Sequence, residues 1–329
     1  MLRNIHPGKK KQIKSIDILR KESKKMKQLV KTLILGGNGF IGRNLAQKLL
    51  QDPDFAVTCF DRIDPPNKDN RITYISGDFF DIQLLESLVD EYDVIYHAIS
   101  TLTVGNSSAN YMNGYTGDFV QSVRLCDYIQ KTGKKLIFLS SGGTVYGNHE
   151  KMPVTEKDYC QPINHYGTVK RCIENVMETF HVQNDAKMIV ARIANPYGPG
   201  QDYRKGVGVI DAAIKNAINH TPMTIWGDGN IIRDYIYIED TCAMLRALAK
   251  YDGSDTIFNL SSGEGHSINE ILKMVKSRYP ELEVVYTPGR SVDLKEIVLD
   301  NHKIRSIYNR PLISLKDGID KYIDYIVSE

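Results

Sequence analysis

The run Leu33-Ile34-Leu35-Gly36-Gly37-Asn38-Gly39-Phe40-Ile41-Gly42 restricts this chain more than any other stretch of it. A short apolar strand ends in glycines and opens directly into a helix. Residues without a Cβ let the backbone turn tightly and approach another group closely, and a helix start presents N–H groups to whatever sits there. Both Gly37-x-Gly39-x-x-Gly42 and Gly36-x-x-Gly39-x-x-Gly42 are present. A pyrophosphate fits such a turn. The next apolar run ends Cys59-Phe60-Asp61, 19 residues beyond Gly42, where an acid meets the adenosine ribose of a dinucleotide. A carboxylate accepts from 2′- and 3′-hydroxyls and repels a 2′-phosphate, so Asp61 favours NAD over NADP, and Arg62 beside it blunts the preference. The expected cofactor residues are Gly36, Gly39, Phe40, Ile41, Gly42, Asp61 and Arg62. Asp78 and Phe79 after the third strand are placed at the adenine, and Ala98 and Ser140 at later strand ends.

From Lys31 onward short apolar runs alternate with amphipathic stretches. The runs are Thr32–Leu35, Ala56–Phe60, Ile72–Ile75, Val94–Ala98, Leu136–Leu139 and Met188–Ala191; helical patterns cover Phe40–Gln51, Ile82–Val89, Asp118–Gln130 and Tyr166–Phe180. Strands joined by helical crossovers imply an α/β fold, a doubly wound parallel sheet of the Rossmann type covered on both faces. After Pro196 the rhythm loosens into helices at about Val207–Asn219, Glu239–Ala249, Ile268–Lys276 and Leu315–Ile326 with brief apolar runs between them. The expected division is a basic extension over 1–30, a dinucleotide-binding domain over 31–195 and a smaller α/β cap over 196–329, some of whose segments return to the main sheet.

Composition excludes several classes. The 329 residues are 42% hydrophobic and 25% charged, ordinary for a globular protein. No stretch of about 18 apolar residues is present, so no membrane span is expected. The formal charge of +2 predicts no nucleic-acid partner. It is unevenly spread: residues 1–25 hold nine basic and two acidic side chains, a solvated leader without the apolar core of a secretory signal. Five cysteines, an odd number without C-x-x-C spacing, point to reduced thiols in a cytoplasm, and the eight histidines lack ligand spacing, so no metal is assigned.

Tyr166-Gly167-Thr168-Val169-Lys170 puts a phenol and an ammonium on one helix face. A free tyrosine, with a pKa near 10, is a poor base at neutral pH; a neighbouring ammonium and the positive ring of bound NAD are expected to stabilise the phenolate. The fifth apolar run leads into Ser140-Ser141-Gly142-Gly143-Thr144-Val145-Tyr146-Gly147, which sets small hydroxyl residues at the sheet's C-terminal edge, where ligands bind. Ser141 or Thr144 can share a proton with Tyr166, and Thr144 is favoured.

The glycine turn, Asp61, the Ser-Ser-x-x-x-Val-Tyr-Gly strand end and the Tyr166/Lys170 pair together resemble the extended short-chain dehydrogenase/reductase superfamily, in particular its nucleotide-sugar epimerase/dehydratase branch, which includes UDP-glucose 4-epimerase. The resemblance covers about residues 31–327. It implies tightly bound NAD that is not consumed, a nucleotide-sugar substrate of the UDP-hexose type, and a homodimer through the helices containing Asp118–Gln130 and Tyr166–Phe180. It implies that Asn195, in Arg192-Ile193-Ala194-Asn195-Pro196-Tyr197-Gly198, contacts the nucleotide diphosphate. Arg233 and Arg290 hold the same diphosphate and Asp293 the nucleotide ribose; forked guanidinium donors suit that dianion. Ile297, four residues beyond Asp293, stands where relatives set the size of the sugar pocket.

Two departures from the family pattern matter. Where many relatives carry the hydroxyl partner of the tyrosine this chain has Gly142, and where they present an asparagine near the cofactor it has Gly117-Asp118. Dehydratases of the branch place Asp-Glu just before Val-Tyr-Gly; Gly143 and Thr144 stand there. One base and one hydride acceptor remain, which describes epimerisation at C4 through a 4-keto sugar. A reductase, dehydrogenase or dehydratase of the same superfamily is the alternative, and a non-catalytic NAD-sensing regulator the remote one.

Overall fold

The computed structural model describes residues 29–202, 204, 208–289 and 295–328. The chain starts β1 (Val30–Leu35), α1 (Phe40–Leu50), β2 (Phe55–Asp61), β3 (Thr73–Ser76), α2 (Ile82–Val89) and β4 (Val94–His97). A short helix α3 (Ser107–Asn113) runs into one π-helical segment (Gly114–Phe119) and then α4 (Val120–Thr132). Next come β5 (Lys135–Ser141), a single turn α5 (Gly142–Val145), the long α6 (His165–Asn184), β6 (Met188–Ile193) and β7 (Asn195–Tyr197). The remainder is α7 (Val209–Ile218), β8 (Met223–Trp226), β9 (Ile232–Tyr237), α8 (Ile238–Lys250), β10 (Ile257–Leu260), β11 (Gly265–Ser267), α9 (Ile268–Lys276), β12 (Val284–Thr287), β13 (Glu296–Ile297), α10 (His302–Ile307) and α11 (Leu315–Ser328).

Seven strands form the main sheet in the order β3-β2-β1-β4-β5-β6-β10, every pair parallel. This is the doubly wound arrangement, and all six expected apolar runs are strands in it. Because both faces are covered, alternate residues of one strand serve two cores. Ile34 of β1 packs with Leu45 and Leu49 of α1 and Leu245 and Leu248 of α8. Leu33 and Leu35 pack the other way, with Leu85 of α2, Leu125 of α4 and Val169 and Ile173 of α6. A third core, in the cap, joins Ile210 and Ile214 of α7, Ile225 of β8, Ile271 and Val275 of α9, and Tyr322 and Ile323 of α11. Both α8 and β10 serve the main layers although they lie beyond residue 196.

One helix boundary differs from expectation. Asp118 does not open a regular α-helix: it lies inside the π-helical segment, and regular geometry starts at Val120. Two glycines, Gly114 and Gly117, weaken α-helical propensity there, and a bulge of this kind often marks a functional site. Among the described residues no helix is long and apolar enough to cross a membrane.

Candidate active site

The glycine turn is built as its residue types require. Gly36 has φ +88°, in the left-handed region, and a Cβ on it would lie 3.2 Å from the Ala98 carbonyl carbon. A Cβ on Gly42 would lie 2.2 Å from the Gly36 carbonyl oxygen, so α1 presses directly on the turn. Gly39 caps α1 without a side-chain hydrogen bond, and the first-turn N–H groups around Phe40 and Ile41 have no intrahelical acceptor. Asp61 closes the far side: its carboxylate accepts from the Asn38 N–H at 3.0 Å and the Arg62 N–H at 2.8 Å. A cavity of about 610 Å³ opens beside Asp61, Arg62 and Asn38. This cradle, which a Cβ would fill, fits a dinucleotide pyrophosphate with its adenosine ribose at Asp61.

Three of the other expected cofactor residues, Asp78, Phe79 and Ser140, are engaged within the protein. Phe79 is 3% exposed and packs against His97 in the core, while Phe80 next to it is the exposed ring. Asp78 accepts the Phe80 N–H at 3.0 Å, so the pair behaves as a helix-entry turn and a core aromatic. Ser140 is 4% exposed and its hydroxyl donates to Glu174 at 2.5 Å, so its side chain belongs to the interior beneath the site.

The second cavity, about 420 Å³, lies at the C-terminal edge of β5 and β6. Ser141, Gly143, Thr144 and Tyr166 form one wall, Asn195, Pro196 and Tyr235 another, and Phe40 reaches it from the glycine turn. The site therefore joins the cofactor cradle to the catalytic pair through α1. The Ser141 hydroxyl lies close enough to the Tyr166 phenol to pull its pKa down, and both line the cavity. Thr144 instead donates its hydroxyl to the Ser141 carbonyl at 3.3 Å. Thr144 is the partner favoured in the sequence, whereas in the structure it is the Ser141 hydroxyl that acts on the phenol. Gly142 has a further reason to be glycine: a Cβ there would lie 2.3 Å from Leu299 Cδ1, toward the core.

Burial pushes the Tyr166 phenol up to about 12; the Ser141 hydrogen bond pulls it down and the Asp118 charge adds to the rise. Lys170 is driven down to about 8 by burial, against which Asp118 and then Glu174 hold it charged. Its ammonium donates to the Leu139 carbonyl at 2.9 Å and lies 5.8 Å from the Tyr166 ring centroid. Proximity to the lysine is therefore not sufficient to lower the phenol. Both groups share one desolvated pocket, where burial favours each neutral form.

Several supporting residues escaped the sequence reading. Glu174, four residues after Lys170 and so on the same helix face, is fully buried and accepts from Arg192 Nη2 at 2.8 Å and Arg171 Nη1 at 3.0 Å. Arg192 also donates to Tyr146 at 3.0 Å, and Tyr146 to Asn259 at 2.6 Å, so one polar chain runs from α6 beneath the sheet edge to β10. On the other side Ser122 donates to the Asp118 carbonyl at 2.6 Å. Its hydroxyl must then accept from His97 Nε2 at 2.8 Å, which leaves His97 Nδ1 as a bare acceptor. Helix spacing could have flagged Glu174; His97 and Ser122 carried no local signal.

On the substrate side, Asn195 lines the cavity and donates to the Asp234 carbonyl at 2.9 Å. Arg233 lies on β9 two residues before the cavity-lining Tyr235, so the pleat sets both on one face. Ile297 pairs in register with Arg233, but its side chain is buried in the main core with Val154 and Leu299, so it does not line the cavity. Arg290 and Asp293 lie outside the described residues.

The sequence profile of the NAD dependent epimerase/dehydratase family matches residues 32–261. The chain belongs to that family. It is accordingly an NAD-dependent protein. A dTDP-4-dehydro-6-deoxyglucose reductase of Escherichia coli is 29% identical over 307 residues, 89% of this chain and 96% of that protein. Among solved structures, a UDP-glucose 4-epimerase of Thermotoga maritima with UDP-glucose superposes with a TM-score of 0.84 at 27% identity, covering 91% of this chain and 99% of that one. The UDP-glucose 4-epimerase of Thermus thermophilus in complex with NAD gives 0.82 at 25% identity, covering 90% and 99%. This family member is thus similar in sequence or structure to enzymes of differing named activities.

Proposed function

We propose that this chain is a nucleotide-sugar 4-epimerase acting on a UDP-hexose of the UDP-glucose/UDP-galactose kind. The observation that carries the reading is the wall of the 420 Å³ cavity: Tyr166 and Ser141 stand together, and the described lining residues include no Asp, Glu or Cys. Gly143 and Thr144 occupy the positions where elimination would need an added acid and base, and oxidation through to a carboxylic acid would need a nucleophile such as cysteine.

Bound NAD supplies the hydride acceptor and gives the hydride back within the same turnover. Gly36, Gly39 and Gly42 hold its pyrophosphate and Asp61 its adenosine ribose. Tyr166 as phenolate takes the proton of the sugar 4-hydroxyl, with Ser141 placed beside both oxygens, and later returns it to the 4-oxygen when the hydride is restored to the other face of C4. Asn195, Arg233, Arg290 and Asp293 grip the nucleotide. The sugar, held through its diphosphate, turns over between the two transfers, so binding energy far from C4 positions the reacting carbon. The chain pairs with a second copy through α4 and α6, beside which Tyr111, Met112 and Val120 are exposed.

The test is incubation of purified protein with UDP-glucose or UDP-galactose and no added cofactor, with chromatographic resolution of the sugars beside a Tyr166→Phe variant. Interconversion by the wild type and a loss of at least about a hundredfold in the variant is the expected result, from the usual size of general acid–base terms. Turnover that requires added NADPH would assign the chain to the reductases instead.

A further inference from the structure

The strongest unused group in the molecule is the Asp118 carboxylate. It is 4% exposed, and its Oδ2 accepts from the Thr101 N–H at 2.7 Å and the Ser100 hydroxyl at 3.2 Å, which pins the loop that follows β4. Its Oδ1 is buried and has no hydrogen-bond partner. A buried carboxylate oxygen left bare costs free energy unless a charge nearby repays it. The π-helical segment that carries Asp118 lies along the catalytic stretch of α6. The Tyr115 hydroxyl meets His165 Nδ1 at 3.1 Å, and a Cβ on Gly114 would lie 3.1 Å from Val169 Cγ2. Asp118 is therefore tied to the β4 loop on a segment that packs along the stretch of α6 carrying Tyr166 and Lys170.

We propose that Asp118 is a positioning residue that balances the charge of the Tyr166–Lys170 pair, one carboxylate oxygen fixing the β4 loop and the other serving as counter-ion in the closed pocket. The inference rests on the catalytic reading of Tyr166 given above. Among the described residues the titratable groups facing the pair are His97 from β4, Asp118 from the π-helical segment and Glu174 from α6. His97 is held neutral: burial and the Lys170 charge push it down to about 3. Glu174 is committed to Arg171, Arg192 and Ser140. Asp118 keeps one carboxylate oxygen bare, and its charge acts on both members of the pair in the same sense, favouring the ammonium and opposing the phenolate.

Charge counting shows what that opposition does. With oxidised NAD bound, Lys170 and the positive ring would place two cations beside one phenolate, and Asp118 would bring the sum to zero. A proton and a hydride together carry no net charge, so the sum is the same before and after their transfer; Asp118 sets its level, and a neutral sum is the least costly one in a low dielectric.

The decisive experiment follows the ionisation of Tyr166 itself, by ¹³Cζ-tyrosine NMR of the NAD-bound protein with the resonance assigned by its loss in Tyr166→Phe. Asp118→Asn keeps an acceptor for the Thr101 N–H and removes the charge. The phenol is expected to ionise at least one pH unit lower in it, a tenfold change in the equilibrium, and to stay at the wild-type value in Asp118→Glu. The acid and alkaline limbs of the kcat/KM profile should both move to lower pH. An unchanged Tyr166 titration in a variant that melts like the wild type overturns the proposal; lost height without displaced limbs does so equally. Asp118→Ser repeats the measurement should the asparagine variant not fold. No substrate turnover enters the NMR readout, so a wrong substrate class leaves this test standing.

Discussion

At the scale of single residues the site turns on which hydroxyl faces Tyr166. Ser141 lies near enough to lower the phenol, whereas Thr144 donates to a backbone carbonyl. Removing the hydroxyl that steadies a developing charge costs about 1.5–3 kcal/mol, and each 1.36 kcal/mol is tenfold in rate. Ser141→Ala is therefore expected to lower kcat roughly tenfold to a hundredfold, while Thr144→Val stays within a few-fold of wild type; steady-state rates on the two variants decide it. The reverse order would give the proton-sharing role to Thr144. The residues themselves were legible in the sequence, because glycines, an acid at a strand end and a Tyr-x-x-x-Lys pair are local patterns. Their electrostatics were not. The expectation that Lys170 and the positive ring of bound NAD lower the phenol left out burial, which depends on strands and helices far apart in the chain and which here pushes the phenol up and the amine down.

At the scale of elements the sequence was most readable where periodicity and caps agree. Helix α9 was expected at Ile268–Lys276 and is found there, begun by the Ser267/Glu270 capping box. It was least readable at Gly114–Phe119, where glycines and no strong apolar period concealed the π-helical segment that sets Asp118 beside α6. Helix α6 is held to β6 by something periodicity cannot reveal. Glu174 is fully buried against Arg192, 1% exposed, with Arg171 completing the cluster. Breaking a buried pair from one side leaves an uncompensated charge and costs about 3–5 kcal/mol. Glu174→Gln is expected to lose that much in urea unfolding at pH 7. A loss below about 1 kcal/mol would mean that Arg192 finds other acceptors, and Tyr146 alone would then suffice to seat it.

At the scale of the molecule the two layers meet at one carboxylate. Asp234 of β9, 1% exposed, accepts from Ser262 N at 2.9 Å, Ser262 Oγ at 2.7 Å, Gly263 N at 3.1 Å and Leu299 N at 3.3 Å. Ser262 and Gly263 follow β10 of the main sheet, and Leu299 follows β13 of the cap, so this side chain fastens cap to sheet directly behind Asn195 and Arg233. Burial pushes its carboxyl up to about 6, against the pull of those four donors. The sign follows from that direction: between about pH 4 and pH 6 the folded protein keeps a proton that the unfolded chain has released, so this group's contribution is fully present near pH 4 and is lost as the pH rises to 6. From 1.36 kcal/mol per pKa unit the loss is of the order of 2–3 kcal/mol. Urea unfolding of wild type and Asp234→Asn across pH 4–7.5 isolates it, because other titrating groups cancel in the difference. The wild-type advantage should shrink across that window and stay flat above pH 7. A difference that does not change with pH would mean that the four donors outweigh burial and that the clasp between cap and sheet is ionised throughout.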